Sequence, residues 1–232
     1  MSPATGKSQG RYLSALRFRA LTRVYDPAIR WTTREATFKR RLLEQAAPAA
    51  DSRVLDLGCG TGTLAIMLKR TQPDAAVIGL DADPEILERA RAKARRAGVE
   101  VQFDEGLSTE LRYEDESFDL VLSTLFFHHL TGADKRRTAG EIGRVLRPGG
   151  ELHVADWGRP ADPLMRVLFG SVRLFDGFEQ TRDNAAGALP EIFEGGGLGH
   201  ATEADRLRTA FGTLAFYRAR RPAAASAAAG AS

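Results

Sequence analysis

Three glycines at alternate positions follow a short apolar run that contains one aspartate. The run covers residues 54–57 and includes Asp56, and the glycines are Gly58, Gly60 and Gly62. Glycine has no Cβ, so a loop of this kind lets the backbone approach a ligand closely. The helix predicted to follow also offers unpaired N–H groups to a negatively charged group. The pattern therefore predicts a ligand-binding loop between a buried strand and a helix.

The spacing of these glycines excludes two common nucleotide-binding loops. A dinucleotide fingerprint has its third glycine one residue later, where this chain has Thr63. A phosphate-binding P-loop ends in Gly-Lys followed by Ser or Thr, which this loop lacks. Cys59 lies inside the loop, and we interpret it as a small residue rather than a nucleophile. A purely structural glycine turn in another α/β protein is the alternative at this point.

The elements around the loop alternate between strands and helices. Apolar runs and capping residues predict strands at 54–57, 76–80, 99–103, 117–123 and 152–155, with helices at 63–70, 84–97 and 135–146. This alternation predicts a parallel sheet with right-handed crossovers, which binds ligands at the carboxyl ends of its strands. Asp56, Asp81 and Ser123 fall at or near those ends, so we expect them to converge on one edge. Residues 204–209 and 211–218 predict a closing antiparallel hairpin.

The segments outside this core predict a division of the chain. We expect disorder over 1–10, a helical cap over 11–48 with helices at 11–24 and 33–47, a cofactor-binding core over 49–157, a substrate-cap insertion over 158–200, a closing hairpin over 201–220 and a disordered tail over 221–232. The insertion is predicted to hold two helices. Pro48 ends the second helix of the cap.

Composition and charge narrow the class of protein. The chain has 232 residues, one cysteine and no apolar run long enough to span a bilayer, which favours a cytoplasmic protein. Residues 1–41 contain ten Lys and Arg residues and two acidic residues, so this segment has a charge of +8. The whole chain has a net charge of +3, so the remaining residues have a charge of −5. This basic arm predicts peripheral contact with an anionic membrane or attraction to an acidic substrate. A solvated helix face, or packing of the arm on the acidic body, is the alternative.

Four stretches in order resemble the class I S-adenosylmethionine (SAM)-dependent methyltransferases of the ubiquinone/menaquinone C-methyltransferase-like group. They are V-L-D-L-G-C-G-T-G at 54–62, G-L-D-A-D-P-E at 79–85, S-F-D-L-V-L-S at 117–123 with F-F-H-H-L at 126–130, and V-L-R-P-G-G at 145–150. The resemblance covers about residues 51–157. It implies an α/β fold with a Rossmann-like seven-stranded sheet, mostly parallel with the last strand antiparallel, and helices on both faces.

The resemblance also implies the cofactor and its contacts. SAM would bind, and S-adenosylhomocysteine would leave, through Asp56, Gly58, Cys59, Gly60, Gly62, Asp81, Ala82, Gly106, Leu107, Ser123 and Thr124. Asp81 is placed to accept both ribose hydroxyls, and Asp56 to address the methionine ammonium. The family commonly has an acidic residue for the adenine amino group where this chain has Leu107. Adenine would then rely on backbone, Ser108 or apolar packing.

The acceptor is expected beside the methionine end of the cofactor. Predicted pocket residues are Tyr25, Trp31, Phe127, His128, Asp156, Trp157 and Arg159. Methyl transfer from a sulfonium mainly needs alignment and exclusion of water, and a base only when the acceptor arrives protonated. His129 is the candidate base, with a structural role as the alternative. No Cys/His cluster has metal-ligand spacing, so no metal is predicted.

Three functions remain open on the sequence. The first is methyl transfer to a small apolar or aromatic molecule, such as a quinone, lipid or secondary metabolite. The second is a catalytically silent SAM-fold binding subunit. The third is an RNA or protein methyltransferase, but the chain has Ser123-Thr-Leu-Phe126 in place of the N/D-P-P-Y-type loop, and its arm lacks interleaved aromatics, so no nucleic-acid partner is expected. The acceptor, the methylated atom and the oligomeric state are not specified by these residues.

Overall fold

A computed structural model describes residues 35–223. The predicted helix at 11–24, the pocket residues Tyr25 and Trp31, the predicted disorder at 1–10 and most of the predicted tail lie outside the described residues. The described elements are α1 (Glu35–Ala46), β1 (Arg53–Leu57), α2 (Thr63–Thr71), β2 (Ala76–Asp81), α3 (Pro84–Ala97), β3 (Gln102–Glu105), β4 (Phe118–Thr124), a 3₁₀ turn (Phe127–His129), α4 (Gly132–Val145), β5 (Leu146–Trp157), α5 (Pro163–Asp176), α6 (Arg182–Ala186), α7 (Leu189–Gly195), β6 (Gly199–Thr209) and β7 (Gly212–Arg220).

Seven strands form one sheet in the order β3-β2-β1-β4-β5-β7-β6. The first five strands pair in parallel, and β7 runs antiparallel to both β5 and β6. The predicted fold class is therefore confirmed. The strand order reverses between β1 and β4, because the chain first builds outward through β2 and β3 and then returns beside β1. In open α/β sheets this switch point is where ligands bind.

Helices cover both faces of the sheet because its central strands are apolar on both sides. One buried cluster joins the strands to α4 and α7 through residues such as Ile142, Val145 and Phe193. A second cluster joins them to α1, α2 and α5 through Phe38, Leu64 and other apolar side chains. A third, smaller cluster packs α3 on α2 and β3. A strand that is buried on both faces has apolar residues at consecutive positions, as in the largely apolar run at 54–57.

Several elements differ from their predicted bounds. β3 spans Gln102–Glu105 rather than 99–103, and α4 begins at Gly132 rather than at residue 135. β5 begins at Leu146 rather than at the predicted residue 152, because residues 147–150 already continue the strand. β6 begins at Gly199, where the burial pattern along the strand is irregular and gives no clean alternation in sequence. The segment predicted to hold two helices contains three, α5, α6 and α7, since Gly177 and Gly187 end the first two.

The described part of the predicted cap is packed on the sheet. α1 lies against β5 and α2, with Phe38 and Leu42 fully buried among residues of the second cluster. Apolar residues at this spacing cover one face of a helix. α1 is therefore one of the helices that cover the core, and the division of the chain into cap and core remains a prediction.

Candidate functional site

The glycine loop between β1 and α2 is held by backbone hydrogen bonds to the neighbouring strand. The N–H groups of Gly58 and Cys59 both donate to the Leu80 carbonyl, at 2.9 Å each. Gly58, Gly60 and Gly62 all have positive φ, between 53° and 70°, the left-handed region that glycine occupies without strain. The loop thus needs glycines for its own backbone, whatever it binds.

The three glycines face different surroundings. A Cβ at Gly58 would lie 2.3 Å from the Phe126 ring, and one at Gly62 would lie 2.7 Å from the Phe103 ring. A Cβ at Gly60 would meet no atom of the described residues within 4 Å. Gly60 is therefore the glycine that faces open space at the switch point, while Gly62 serves the packing of α2 on α3.

Asp81, at the end of β2, ties the loop to the start of α3. One carboxylate oxygen accepts the Gly60 N–H at 2.9 Å, and the other accepts the Asp83 N–H at 3.1 Å. Burial raises the pKa of Asp81, and these two hydrogen bonds lower it in part. A carboxylate has about four acceptor positions, so each oxygen can accept a further hydroxyl. Asp83 instead caps α3, accepting the Glu85 N–H at 2.9 Å.

Asp56 lies beneath the loop and is 1 % exposed. One carboxylate oxygen, Oδ2, accepts the Ala65 N–H at 3.2 Å, whereas Oδ1 has no hydrogen-bond partner among the described residues. Burial raises the pKa of Asp56 to about 6, against an opposing effect of the Lys39 charge. A buried carboxylate with an unsatisfied oxygen is costly, and a bound cation or donor would relieve that cost.

Cys59 is buried at 6 % exposure, and burial followed by the charges of Asp56 and Asp81 raises the pKa of its thiol. A thiol held protonated is a poor nucleophile. Its sulfur also approaches the position a Cβ would take at Gly79, at 3.0 Å. The interpretation of Cys59 as a small packing residue agrees with this placement.

A cavity of about 100 Å³ opens beside the loop at the carboxyl ends of β1 and β2. Its lining residues are Leu57, Gly58, Leu80, Asp81, Ala82, Gly106, Leu107, Ser108, Phe126 and Leu130. A second cavity of about 300 Å³ adjoins it and shares Leu80 and Gly106. Five predicted cofactor contacts from three segments thus line one space: Gly58, Asp81, Ala82, Gly106 and Leu107. Ser108 is buried and shares a 2.8 Å hydrogen bond with Thr138.

The end of β4 is shaped by the buried carboxylate of Asp156. Its Oδ2 accepts the N–H groups of Phe126 and Phe127, at 3.0 and 2.7 Å, and its Oδ1 accepts the Trp157 N–H at 2.7 Å. Leu125, just before this turn, has φ of 51°, an uncommon value for a residue with a side chain. Asp156 therefore holds the 3₁₀ turn in place, and it does so with no exposed surface of its own.

The two strand-end residues of β4 have different surroundings. Ser123 is fully buried, and its hydroxyl donates to the Leu57 carbonyl at 2.8 Å, which links β4 to β1 at the switch point. Thr124 is partly exposed. The predicted contact of both residues with a cofactor would use their backbone carbonyls, and this remains a prediction.

His128 and His129 lie on the 3₁₀ turn with ring centroids 3.9 Å apart. The Nδ1 atom of His128 is 2.7 Å from Asp156 Oδ1. Burial lowers the pKa of His128, but the charges of Asp156 and Asp176 outweigh it and the net pKa is raised. Burial and the His128 charge lower the pKa of His129 well below its ordinary value. Each histidine also has a ring nitrogen 3.7 Å from an Asp176 oxygen.

The other predicted acceptor-pocket residues differ in their exposure to solvent. Phe127 is fully buried against Phe193, with ring centroids 5.2 Å apart, and Trp157 is 2 % exposed with its ring 5.9 Å from Phe169. Neither side chain has a surface with which to contact an acceptor in this arrangement. Arg159 is exposed, beside Gly187.

Two residues near the site were not predicted from the sequence. Phe126 covers Gly58 and lines the cavity beside the glycine loop. Asp176 ends α5 and reaches both histidines. Phe126 stands next to predicted residues and could have been included, but no spacing in the sequence connects Asp176 to the 3₁₀ turn.

The surroundings of the loop fit the parts of SAM. Gly60 offers open space, Asp81 has acceptor capacity left for hydroxyls, and Asp56 Oδ1 is a buried acceptor without a partner among the described residues. A sulfonium compound with a ribose and an ammonium group supplies partners for the last two. A pyrophosphate would meet two carboxylates instead, which opposes its binding.

Comparison with known proteins agrees with this arrangement. Residues 54–150 match a family described as "Methyltransferase domain". A demethylmenaquinone methyltransferase of Thermus thermophilus is 42% identical over 123 residues, which cover 53% of this chain and 55% of the relative. The ubiquinone/menaquinone biosynthesis C-methyltransferase UbiE of Bdellovibrio bacteriovorus is 33% identical over 132 residues, with 57% and 55% covered. These matches confirm the resemblance stated from the sequence. The chain spans about half the length of the curated relatives it matches.

Solved structures share the fold. The YcgJ protein of Bacillus subtilis superposes with a TM-score of 0.67 at 19% identity, covering 80% of this chain and 98% of that protein. The PH0226 protein of Pyrococcus horikoshii gives a TM-score of 0.64 at 18% identity, covering 88% and 98%. At these identities the likeness concerns the architecture.

No described helix is long and apolar enough to cross a membrane.

Proposed function

We propose that this protein binds S-adenosylmethionine at the carboxyl edge of its sheet and transfers the methyl group to a small acceptor. One observation carries the proposal. The glycine loop, Asp56 and Asp81 meet at the switch point between β1 and β4, with Gly60 facing open space and its N–H donating to Asp81 at 2.9 Å. The matching family and the printed names of the relatives support the same activity.

The proposed cofactor contacts follow from the groups that each residue presents. Asp81 accepts the ribose hydroxyls, and Asp56 attracts the α-ammonium directly or through water. Adenine lies in the cavity beside Gly106, where Leu107 is half exposed and offers an apolar surface. SAM supplies an electrophilic methyl group on a sulfonium. The chain aligns the acceptor with that group and excludes water, so a base on the protein is needed only for a protonated acceptor.

The acceptor is a small apolar or aromatic molecule, with a quinone, a lipid or a secondary metabolite as the classes to test. Phe126 and Leu130, on either side of the turn that carries the histidines, give the cavity wall an apolar surface other than that of Leu107. Two of the relatives act, by their names, on menaquinone or ubiquinone precursors. Aromatic and aliphatic walls suit a flat hydrophobic ring.

The direct experiment is a transfer assay with isotope-labelled SAM against quinone, phenol and lipid extracts. We expect label in a small apolar product, and much less of it with an Asp81→Ala variant when SAM is kept below the Kd of that variant. If the protein binds SAM by calorimetry but no extract accepts label, the second candidate, a catalytically silent binding subunit, takes the place of the enzyme. If neither binding nor transfer is found, the proposed function is wrong.

We further propose that the protein approaches an anionic membrane surface. The basic arm over residues 1–41 and a set of exposed apolar side chains on or next to α5 support this: Leu164, Val167, Leu174, Phe175 and Phe178. Attraction between exposed charges is screened within about 8–10 Å at physiological salt. Sedimentation with anionic vesicles should therefore show binding that weakens as salt rises. Neutralising Arg17, Arg19 and Arg23 should reduce it, and equal binding by that variant would contradict the proposal.

A further inference from the structure

His128, His129 and Asp176 bring three potential metal ligands together from two elements. The histidines lie on the 3₁₀ turn after β4, and Asp176 is the last residue of α5. His128 Nε2 is 3.7 Å from Asp176 Oδ2, and His129 Nδ1 is 3.7 Å from Asp176 Oδ1. One ligand atom from each residue lies within 4.8 Å of the other two.

These separations are close to those that a transition metal imposes on its ligands. With metal–nitrogen and metal–oxygen bonds of about 2.0–2.2 Å, neighbouring ligand atoms of a tetrahedral site lie roughly 3.4 Å apart. The two 3.7 Å contacts use different oxygens of Asp176 and need shifts of a few tenths of an ångström. Ligand atoms up to 4.8 Å apart need a shift of at most about 1.4 Å, which side-chain rotation supplies. Two imidazoles and one carboxylate are also a common ligand set for divalent transition metals, and they leave a position for a fourth ligand.

The second nitrogen of His128 has the partner that metal-binding histidines usually have. Its Nδ1 is 2.7 Å from the Asp156 carboxylate, which is fully buried and also fixed by three backbone N–H groups. A proton on Nδ1 donated to Asp156 directs the Nε2 lone pair toward Asp176. A carboxylate behind a ligating imidazole holds the ring orientation and raises its basicity as a ligand.

The charges around the cluster favour a divalent cation. Asp156 is fully buried and the side chain of Asp176 is 14% exposed, so two carboxylates lie together out of water. Lys135 contributes a nearby positive charge, but its Nζ donates to the Gln180 carbonyl at 2.5 Å and lies 3.5 Å from Asp183. Buried anions need a compensating charge. The cation that neutralises Asp156 and Asp176 is either an imidazolium proton or a metal ion.

We propose that His128 Nε2, His129 Nδ1 and Asp176 bind a divalent transition metal ion of the zinc type, with Asp156 as the outer partner of His128. The turn that carries the histidines lies between Phe126 and Leu130, which line the cavity beside the glycine loop. The fourth position takes an oxygen ligand, from water or from a hydroxyl or carbonyl group. A metal on His129 Nδ1 occupies the lone pair of that nitrogen, so it cannot also act as a base. Metal binding at this site does not depend on the proposed methyl transfer.

The test uses the 232-residue chain without an affinity tag, stripped with a chelator and dialysed. Zn²⁺ is titrated by calorimetry, and Co²⁺ by visible absorption, because Co²⁺ held by nitrogen and oxygen ligands in a four- or five-coordinate site absorbs strongly. We expect one equivalent to bind the parent protein. Asp176→Asn and His129→Gln should each lower the affinity at least about 100-fold, since even the loss of an outer partner costs about 10–100-fold.

The matched control is His153→Gln, which removes another buried histidine whose ring nitrogens contact Gln45 and Glu151 at 2.9 Å. This variant should bind Zn²⁺ and Co²⁺ as the parent does. Circular dichroism of every variant without metal separates loss of the site from loss of the fold, and two ligand variants protect against the failure of one. Parent protein that binds neither metal would overturn the proposal and leave the imidazolium proton as the counter-charge. Folded Asp176→Asn and His129→Gln proteins with parental affinity would also overturn it.

Discussion

Replacing Asp56 by asparagine tests whether a buried carboxylate with an unsatisfied hydrogen-bond acceptor lies beneath the glycine loop. Asp56 is 1% exposed, and burial raises its pKa from 3.8 to about 6. Between these two values the folded protein holds a proton that the unfolded chain has lost. The contribution of Asp56 to stability is therefore fully present below about pH 4 and is lost as pH rises through about 6.

The size of the effect follows from the shift. A change of one pKa unit corresponds to about 1.4 kcal/mol, so ionising Asp56 should lower the free energy of unfolding by about 3 kcal/mol from pH 4 to pH 7. Asparagine cannot ionise and does not show this loss. Its amide nitrogen would take the place of the unsatisfied Oδ1, at a cost of about 1–3 kcal/mol that does not depend on pH.

The assay is urea unfolding of the ligand-free parent and Asp56→Asn proteins at a series of pH values. The quantity to follow is the difference in unfolding free energy between the two, because other titrating groups cancel in it. We expect this difference to shift in favour of the variant by about 2–3 kcal/mol between about pH 4.5 and pH 7.5. Asp74→Asn, the same change at an exposed aspartate, is the control for the substitution itself. A flat difference for Asp56→Asn would refute the reasoning.

Two further predictions concern the loop and the turn. Gly62→Ala should lower the free energy of unfolding by about 2–4 kcal/mol, because the positive φ and the Phe103 ring at 2.7 Å both oppose the added Cβ. Gly60→Ala meets only the φ penalty and should lower it by about 1–2 kcal/mol. Because Gly60 faces open space at the proposed site, this variant should also weaken SAM binding. Urea unfolding and calorimetry on the pair decide this, and equal losses of stability would contradict it. Asp156→Ala should destabilise the protein by about 3–5 kcal/mol, because it leaves His128 and three backbone N–H groups without their acceptor. A melting temperature equal to that of the parent would show that the turn does not rely on this carboxylate.

The strand pattern and the loop could be predicted from the sequence because they are local. Apolar runs of four to seven residues separated by helices specify a parallel sheet, and the position of Asp81 at the end of such a run places it at the carboxyl edge. The alternate glycines predict a tight loop with positive φ. What they cannot predict is which glycine faces the ligand. That depends on Phe126 and Phe103, which lie on other strands and loops.

Residues whose roles arise from contacts distant in the sequence were predicted less well. Asp156 was expected to edge the acceptor pocket, but the structure buries it, where it binds the backbone of the turn after β4. Asp176 was not considered, because only the packing of α5 on the sheet brings it to His128 and His129. Buried polar groups acquire their partners through tertiary packing, which residue spacing does not encode.

SAM binding by Asp81→Ala tests the central claim most directly. The parent should bind SAM and S-adenosylhomocysteine in isothermal calorimetry, and the variant should bind SAM about 10–150-fold more weakly, a loss of about 1.5–3 kcal/mol from hydrogen bonds to a charged acceptor. Asp83→Ala is the matched control, because Asp83 caps α3 and its loss should reduce stability while SAM affinity stays at the parental value. An Asp81→Ala protein that binds SAM as tightly as the parent, or a parent that does not bind it, would contradict the account.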